Sequence, residues 1–459
     1  MKQLIVLLLM CCCLPALAQN TNEEYALGCV FDQAKYEEVP ASAPLMTRDY
    51  TRLPARHSLK KYTPYPKSQG AQGSCTGWST TYAARTIAYA IQNNITDRTR
   101  ITEQAFSPSY VYNQVKISSD CSRGAYISDA LGVLKNQGSA KLTDFPYECN
   151  RAIAYTDKTK AANFKITGYK RLSGYGNSIL PIIKKSLAEN KPVVFSLRCY
   201  ASFSSAKESW NGVADNFRGY HAMTVIGYDD YKLGGAFEIQ NSWGPYWGNG
   251  GYTWIKYSDF TQNLSEAYEL IEEFKAAPAK PDLSGELALV KADGTRMNAT
   301  LKNYSSKKQG IYRVTQPQYS GTNFRIQISN NEPAYVYLIG SDLTTKVDVI
   351  FPFNNKMSPA LTYKSSNVAI PNEKYFIQMD DKKGTDYLCI LYSKQALNIE
   401  SIKSQIANSY GTFHERLNRV LSGKMVAKSD VKFEHNKIKF KATSKGKSVV
   451  AMVVEIDHR

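Results

Sequence analysis

Residues 68–79 read SQGAQGSCTGWS and stand just ahead of an apolar stretch. Trp78, Tyr82, Ile87, Ala90 and Ile91 lie on more than one face of a helix drawn over 76–91, the pattern of a buried helix. Cys75 therefore sits at a helix start. Backbone N–H groups there are unpaired and favour a thiolate. With a nearby imidazolium, such a setting lowers a cysteine pKa from about 8.5 to about 3–4. Gly70, Gly73 and Gly77 let the backbone pass close to a substrate. Gly73 and Ser74 are supporting residues. Gln69 carries a side-chain amide that can donate to a developing oxyanion.

The partners of such a cysteine are found in residues 220–256, YHAMTVIGYDDYKLGGAFEIQNSWGPYWGNGGYTWIK. His221 lies 146 positions after Cys75, and Asn241 lies 20 after His221. Strand-like runs 222–228 and 236–240 flank a turn containing Gly234-Gly235. Paired antiparallel, they bring Asn241 beside His221, where an amide oxygen accepts the imidazole N–H and orients the ring. Trp243 covers that bond and keeps water out. Taken singly, Cys75 reads as a buried thiol, His221 as a core histidine, Asn241 as a turn residue and Trp243 as a core aromatic. Their joint spacing points to catalysis.

These two blocks resemble the papain family of cysteine proteases. Cys75, His221 and Asn241 match the family's nucleophile, base and orienting residue, and Gln69 its oxyanion glutamine. NSWGPYWGNGGY (241–252) matches the family's block around the asparagine. LPARHSLKKY (53–62) resembles the start of the mature enzyme, and IIKKSLAENKPVVFSL (182–197) the helix and strand before the histidine. Three positions depart from the pattern: Thr76 follows the nucleophile in place of tryptophan, Gln72 replaces a cysteine, and Tyr220 precedes the histidine. The resemblance implies an α+β catalytic domain over 49–275, with a helical subdomain and a β-barrel-like one. It implies a Cys121–Cys149 disulfide beside the substrate wall, with Gly124 lining that wall. It also implies a peptide or protein substrate and no metal or organic cofactor.

The chain of 459 residues is too long for one ordinary domain. Hydrophobic residues at 43% and charged residues at 21% exclude wholesale disorder. Residues 1–18 read as a signal peptide: Lys2, an apolar run too short to span a bilayer, and Ala16-Leu17-Ala18 as the cleavage site. Lipidation at Cys11, Cys12 or Cys13 ranks lower, because small residues do not precede them. An exported bacterial protein is expected, bound for periplasm, cell surface or medium. Residues 19–48 then form a short N-terminal segment. Either export controls activity, or this segment plugs the cleft.

Six cysteines remain after the leader, enough for one or two bridges and at least one free thiol. Cys199 and Cys389 read as buried inert thiols, and Cys29 as a free or intermolecular one. His57, His414, His435 and His458 lack chemical company and read as surface residues. Asp229-Asp230 reads as a turn. The +17 net charge is spread over both halves and reads as a lysine-rich surface, not as nucleic-acid binding.

A linker is expected over 276–284, and a mainly-β, sandwich-like accessory domain over 285–459. That domain resembles an uncharacterised bacterial family attached to secreted enzymes. Strands are expected at 334–339, 347–351, 374–379, 387–392 and 437–442, a helix at 400–421, and a lysine-flanked hairpin around 444–447. The domain shows no catalytic set, and a cell-surface ligand is its sharper functional reading. Two rival activities stay open for the whole chain: an amidase or transpeptidase acting on cell-wall peptides, and a catalytically weak binding scaffold.

Overall fold

Residues 75–92 form one buried helix, as the many-sided apolar pattern demands. Its ends, Cys75–Gly77 and Thr86–Gln92, are α-helical, while Trp78–Arg85 is wound as a π-helix. Thr80 donates its hydroxyl to Thr76 O at 2.7 Å, and Thr81 does the same to Gly77 O. Such back-bonding loosens the ordinary ladder. The structure is a computed structural model describing residues 25–274, 281–302, 309–342 and 346–459. The expected signal peptide and positions 276–280 of the expected linker lie outside the described residues.

Helices Pro108–Val115 and Ile127–Asn136 pack beside the long helix. The first is capped by Ser107, which accepts from the Tyr110 N–H, with proline at its start. On the other side stands an eight-stranded sheet. Its order runs Gly168–Arg171, Leu264–Ile271, Val193–Tyr200, Phe217–Asp229, Ala236–Gln240, Tyr252–Lys256, Ser209–Trp210, with Arg56–Ser58 added along Phe217–Asp229. The core between helix and sheet holds Ile87, Phe195, Val225, Ile239 and Trp247. Thr224 on the sheet donates to Ser79 O of the helix at 3.0 Å. The turn between 228 and 236 runs through positive φ at Leu233, Gly234 and Gly235, and Asp229 Oδ1 accepts two backbone N–H groups there.

Residues after 280 make a β-sandwich. One sheet contains Gly310–Val314, Val449–His458, Gly384–Ser393 and Ala334–Ser341 at its centre; the other contains Asn323–Asn330, Leu283–Lys291 and Lys439–Ala442. Leu287, Ile326, Val336, Ile390, Phe440 and Met452 fill the space between. Strand Leu283–Lys291 begins inside the expected linker.

Several expectations for this part are corrected. The helix expected over 400–421 is two, Ile399–Ala407 and Phe413–Leu421, divided by Gly411 at φ +94°. The strand expected over 374–379 shrinks to Ile377–Gln378, because Asn372 Oδ1 draws the Lys374 and Tyr375 N–H groups into a turn. No hairpin forms around 444–447: Lys439–Ala442 and Val449–His458 belong to different sheets, so the turn carries the chain across the sandwich. His414 and His458 are buried, not on the surface. His414 Nε2 meets Glu455 at 2.8 Å, and His458 lies on a central strand, with Ser320 at 3.1 Å and Asp386 at 3.0 Å.

The sandwich docks on the eight-stranded sheet where Thr362 and Tyr363 bond a buried ion pair that lies within that sheet. Lys170 lies 3.2 Å from Glu269, and Glu269 also accepts from Ser186, Thr362 and Tyr363 at 2.6–2.7 Å. The N-terminal segment laces the two together: Ala41 bridges to both Arg171 and Met357, and the Met46 N–H bonds Asn367 O at 2.8 Å.

Candidate active site

The long helix starts at the seam between helices and sheet, and this fixes Cys75. Ser74 does not cap the helix; its hydroxyl meets Tyr147 OH at 2.5 Å. Tyr147 in turn donates to Gln69 O at 2.8 Å. Across the seam, antiparallel pairing sets Thr224 opposite Gln240. Asn241 follows at the strand end, so it reaches His221. His221 Nε2 and Asn241 Oδ1 are 2.7 Å apart, and neither side chain is exposed. Trp243 stacks on the imidazole with centroids 4.6 Å apart. The Ala222 N–H, one residue past the histidine, donates to Cys75 Sγ at 3.4 Å. His221 Nδ1 has no hydrogen-bond partner among the described residues. Gln69 is held from both ends: Oε1 accepts from Ser242 Oγ at 2.7 Å, while Nε2 donates to Gln72 O at 2.8 Å.

Residues 25–31 run through this seam. Tyr25 stacks on Trp243 at 4.6 Å, and Trp243 Nε1 donates to Ala26 O at 3.0 Å. Leu27 O accepts from Gln69 Nε2 at 3.3 Å. Gly28 O accepts the Ala125 N–H at 3.0 Å, and Val30 N–H donates to Ala125 O at 3.0 Å. Cys29 N–H reaches the opposite wall, Tyr220 O, at 3.3 Å. The segment thus runs between the two walls and is bridged to both at Cys29. Glycines permit it: a Cβ on Gly28 would stand 2.0 Å from Gly73 O, and one on Gly124 would stand 2.4 Å from Gly28 O. Thr76, the first departure from the family pattern, uses its hydroxyl to bond Ala125 O at 3.1 Å.

This occlusion reverses the expected electrostatics. Burial pushes the Cys75 thiol up to about 12, against the favourable Ala222 N–H. Burial likewise pulls His221 down to about 4, the Asn241 bond opposing it only in part. A helix start favours a thiolate, but in a dry cleft the cost of desolvating charge is larger. Burial thus favours the neutral thiol and the neutral imidazole in this closed arrangement.

A family model described as papain family cysteine protease matches residues 53–271. Residues 53–271 are a papain-family domain. A second model, a domain of unknown function (DUF4384), matches residues 319–396. Similar proteins include the cysteine protease XCP2 of Arabidopsis thaliana, 26% identical over 52% of this chain and 66% of its own length. Chymopapain of Carica papaya is 29% identical over 41% of this chain and 51% of its own, and cathepsin K of Mus musculus is 30% identical over 42% and 56%. The chain thus spans about half to two-thirds of the length of these relatives. Among solved structures, xylellain, a cysteine protease from Xylella fastidiosa, is 23% identical with a TM-score of 0.45, covering 54% of this chain and 96% of that one.

Within the papain-family domain, Gln69, Cys75, His221, Asn241 and Trp243 meet at one seam. Gly73 and Gly124 face the N-terminal segment, and Ser74 turns to Tyr147. Cys121 and Cys149 are joined as a disulfide, with Cα atoms 6.1 Å apart, and the Gly73 N–H bonds Cys121 O at 2.8 Å. Cys199 is buried, its thiol pushed up to about 12; Cys389 is buried, its thiol pushed up further. Cys29 is buried too, which contradicts an intermolecular thiol. Sequence reasoning missed three contributors: Tyr147, Ser242 and Glu266. Ser242 lies inside the NSWG block and was open to notice. Glu266 sits in an ordinary strand run with no motif around it, and only the tertiary fold brings it to Cys29 of the N-terminal segment.

Proposed function

We propose that the papain-family domain is an exported bacterial cysteine endopeptidase held latent by residues 25–31. The observation that carries this is the buried His221–Asn241 bond under Trp243, set against Cys75 at a helix start and Gln69 beside it. Withdrawal of the segment lets water reach the seam. The thiol then falls and the imidazole rises toward a thiolate–imidazolium pair. Cys75 Sγ attacks a peptide carbonyl. Gln69 Nε2 and the Cys75 backbone N–H donate to the oxyanion. Leu27 O, a carbonyl oxygen already beside the Gln69 amide, supports that assignment. His221 gives its proton to the leaving amine, and the acyl-enzyme forms. His221 then takes a proton from water, which hydrolyses the thioester and regenerates the thiol. Asn241 fixes the ring so that Nδ1 faces the reaction.

The disulfide supports export, since such bonds persist in oxidising compartments. The test is intact mass after a peptidyl epoxide, on full-length chain and on chain clipped ahead of residue 32. A single adduct, absent from Cys75→Ala and faster after clipping, is expected. No adduct on folded protein in either form refutes the reading.

A further inference from the structure

We infer that the open end of the sandwich binds a basic peptide, taking one lysine or arginine side chain between its two sheets. Along Gly384–Ser393, residues Leu388, Ile390 and Tyr392 face the core, so Asp386 lies on the same interior face. On the neighbouring strand Val454 and Ile456 likewise face the core, and His458 follows them. A carboxylate and an imidazole thus stand where the strand pattern calls for apolar side chains. The strand on the other side, Ala334–Ser341, puts no side chain here, because its inward position is Gly340. The opposite sheet covers this end only with Ile377–Gln378, the strand cut short by the Asn372 turn. What remains is a cavity of about 390 Å³ with Phe324, Met379 and Leu388 in its apolar floor. That volume is ordinary for a ligand pocket.

The charges around this mouth are unevenly matched. Lys346 lies 3.1 Å from Asp348, and Lys382 lies 3.8 Å from Asp342. Asp380 and Asp386, also on the rim, have no lysine or arginine in ion-pair range among the described residues. They share His458, whose Nδ1 is 3.0 Å from Asp386 and 4.0 Å from Asp380. Burial pushes the Asp386 carboxyl above its ordinary range; His458 opposes this, and the Asp380 carboxylate adds to it. A half-buried carboxylate beside a second one is completed best by a charge-assisted donor. Apolar walls under the two carboxylates suit a cation on a long apolar stem, as in lysine and arginine. The strand next to the slot favours a peptide over a free amine. Val347–Phe351 is the last strand of its sheet, and its Asp348 and Ile350 line the cavity. An extended peptide added along that edge brings its alternate side chains over the slot. Inward charges that only guard a sheet edge would need no apolar slot beside them.

The experiment uses the full-length chain carrying Cys75→Ala, so that binding is read without cleavage and apart from the peptidase reading. Fluorescein-labelled Val-Lys-Val-Lys-Val is titrated at low salt and followed by anisotropy, beside the same peptide with Arg or Gln in place of Lys. The Lys and Arg peptides should bind about tenfold or more tighter than the Gln peptide. Asp386→Asn and Asp380→Asn should each weaken them about fivefold, with no change for the Gln peptide. The Asp380 side chain is 67% exposed, so its variant keeps the test alive should Asp386→Asn fail to fold. Gly340→Val, whose Cβ would stand 2.8 Å from Ile350 Cδ1, fills the slot and should remove the preference for Lys. Asp293→Asn takes the same charge from a turn elsewhere in the sandwich and should change nothing. Equal affinity for the Lys and Gln peptides overturns the inference. So does a loss in Asp380→Asn no larger than in Asp293→Asn. Displacement of the peptide by an equal concentration of cadaverine overturns the assignment to a peptide.

Discussion

Gly28→Ala tests whether residues 25–31 hold the enzyme shut. Gly28 has φ +150°, a conformation that side chains rarely adopt. Its new Cβ would lie 2.0 Å from Gly73 O and 2.6 Å from Gly73 Cα. Both are backbone atoms of a loop pinned by the Gly73 N–H bond to Cys121 O. No rotamer relieves this contact, so the segment must lift. Lifting breaks the bonds of Gly28 O, Cys29 N and Val30 N to the two walls. At about 1 kcal/mol net for each, the closed state loses about 3 kcal/mol, or about 150-fold in open population. The rate at which a peptidyl epoxide labels Cys75 on full-length protein should rise by about that factor. Gly423→Ala is the control, because nothing lies within 4 Å of its added Cβ and its backbone is not in the positive-φ region. A Gly28→Ala rate within about twofold of wild type, on folded protein, refutes the latency argument.

Asn241→Ala removes the acceptor 2.7 Å from His221, a loss of about 1–3 kcal/mol in ring positioning; kcat/KM of the opened enzyme should fall about 10- to 100-fold with little change in epoxide binding. Glu266 gives a pH signature. Its folded carboxyl is raised above the ordinary value, so the folded state holds the proton more tightly, and wild type should lose stability relative to Glu266→Gln as pH rises from about 4.5 to about 7. Denaturant midpoints at pH 5 and pH 8 read this, and a constant difference between the two proteins would refute it. His221 works in the opposite sense: its lowered pKa costs stability as pH falls from about 6.5 toward about 4, so the closed cleft should loosen in acid, seen as faster Cys75 labelling at pH 4.5 by an epoxide matched for intrinsic reactivity. Lys170→Met leaves Glu269 buried without its cation and should cost about 3–5 kcal/mol by denaturant titration. Tyr363→Phe, which removes one neutral donor, should cost about 1 kcal/mol.

Local patterns were legible wherever one periodicity ruled. Ala236–Gln240 occupies the expected position, and the helix at 75–92 follows from apolar residues on more than one face. Apart from 374–379, strand expectations in the sandwich were sound at their centres, because buried strands are runs of apolar residues whatever they pair with. The hairpin at 444–447 failed for the same reason. A turn between two strand patterns reads alike whether the strands pair or part to different sheets, and pairing is a long-range property. His414 and His458 failed because single polar residues carry no mark of burial; Glu455 and Asp386 make theirs tolerable.

The chemistry of the seam was written in short-range order: a cysteine before a helix, a histidine and an asparagine at the ends of two strands, a glutamine six residues ahead. Side-chain identity and spacing along regular elements suffice for that, since each element is rigid. The state of that chemistry was not. Nothing in residues 25–31 marks them as the stretch that bridges both walls, and the helix-start argument taken alone predicts a lowered Cys75 pKa. Whether charge survives there depends on what excludes water, and that is decided by segments nearly fifty residues before the cysteine and nearly two hundred after it. Glu266 shows the same division: its carboxyl is ordinary in sequence, and only the stacking of distant strands buries it among Ser196, Tyr268 and Cys29.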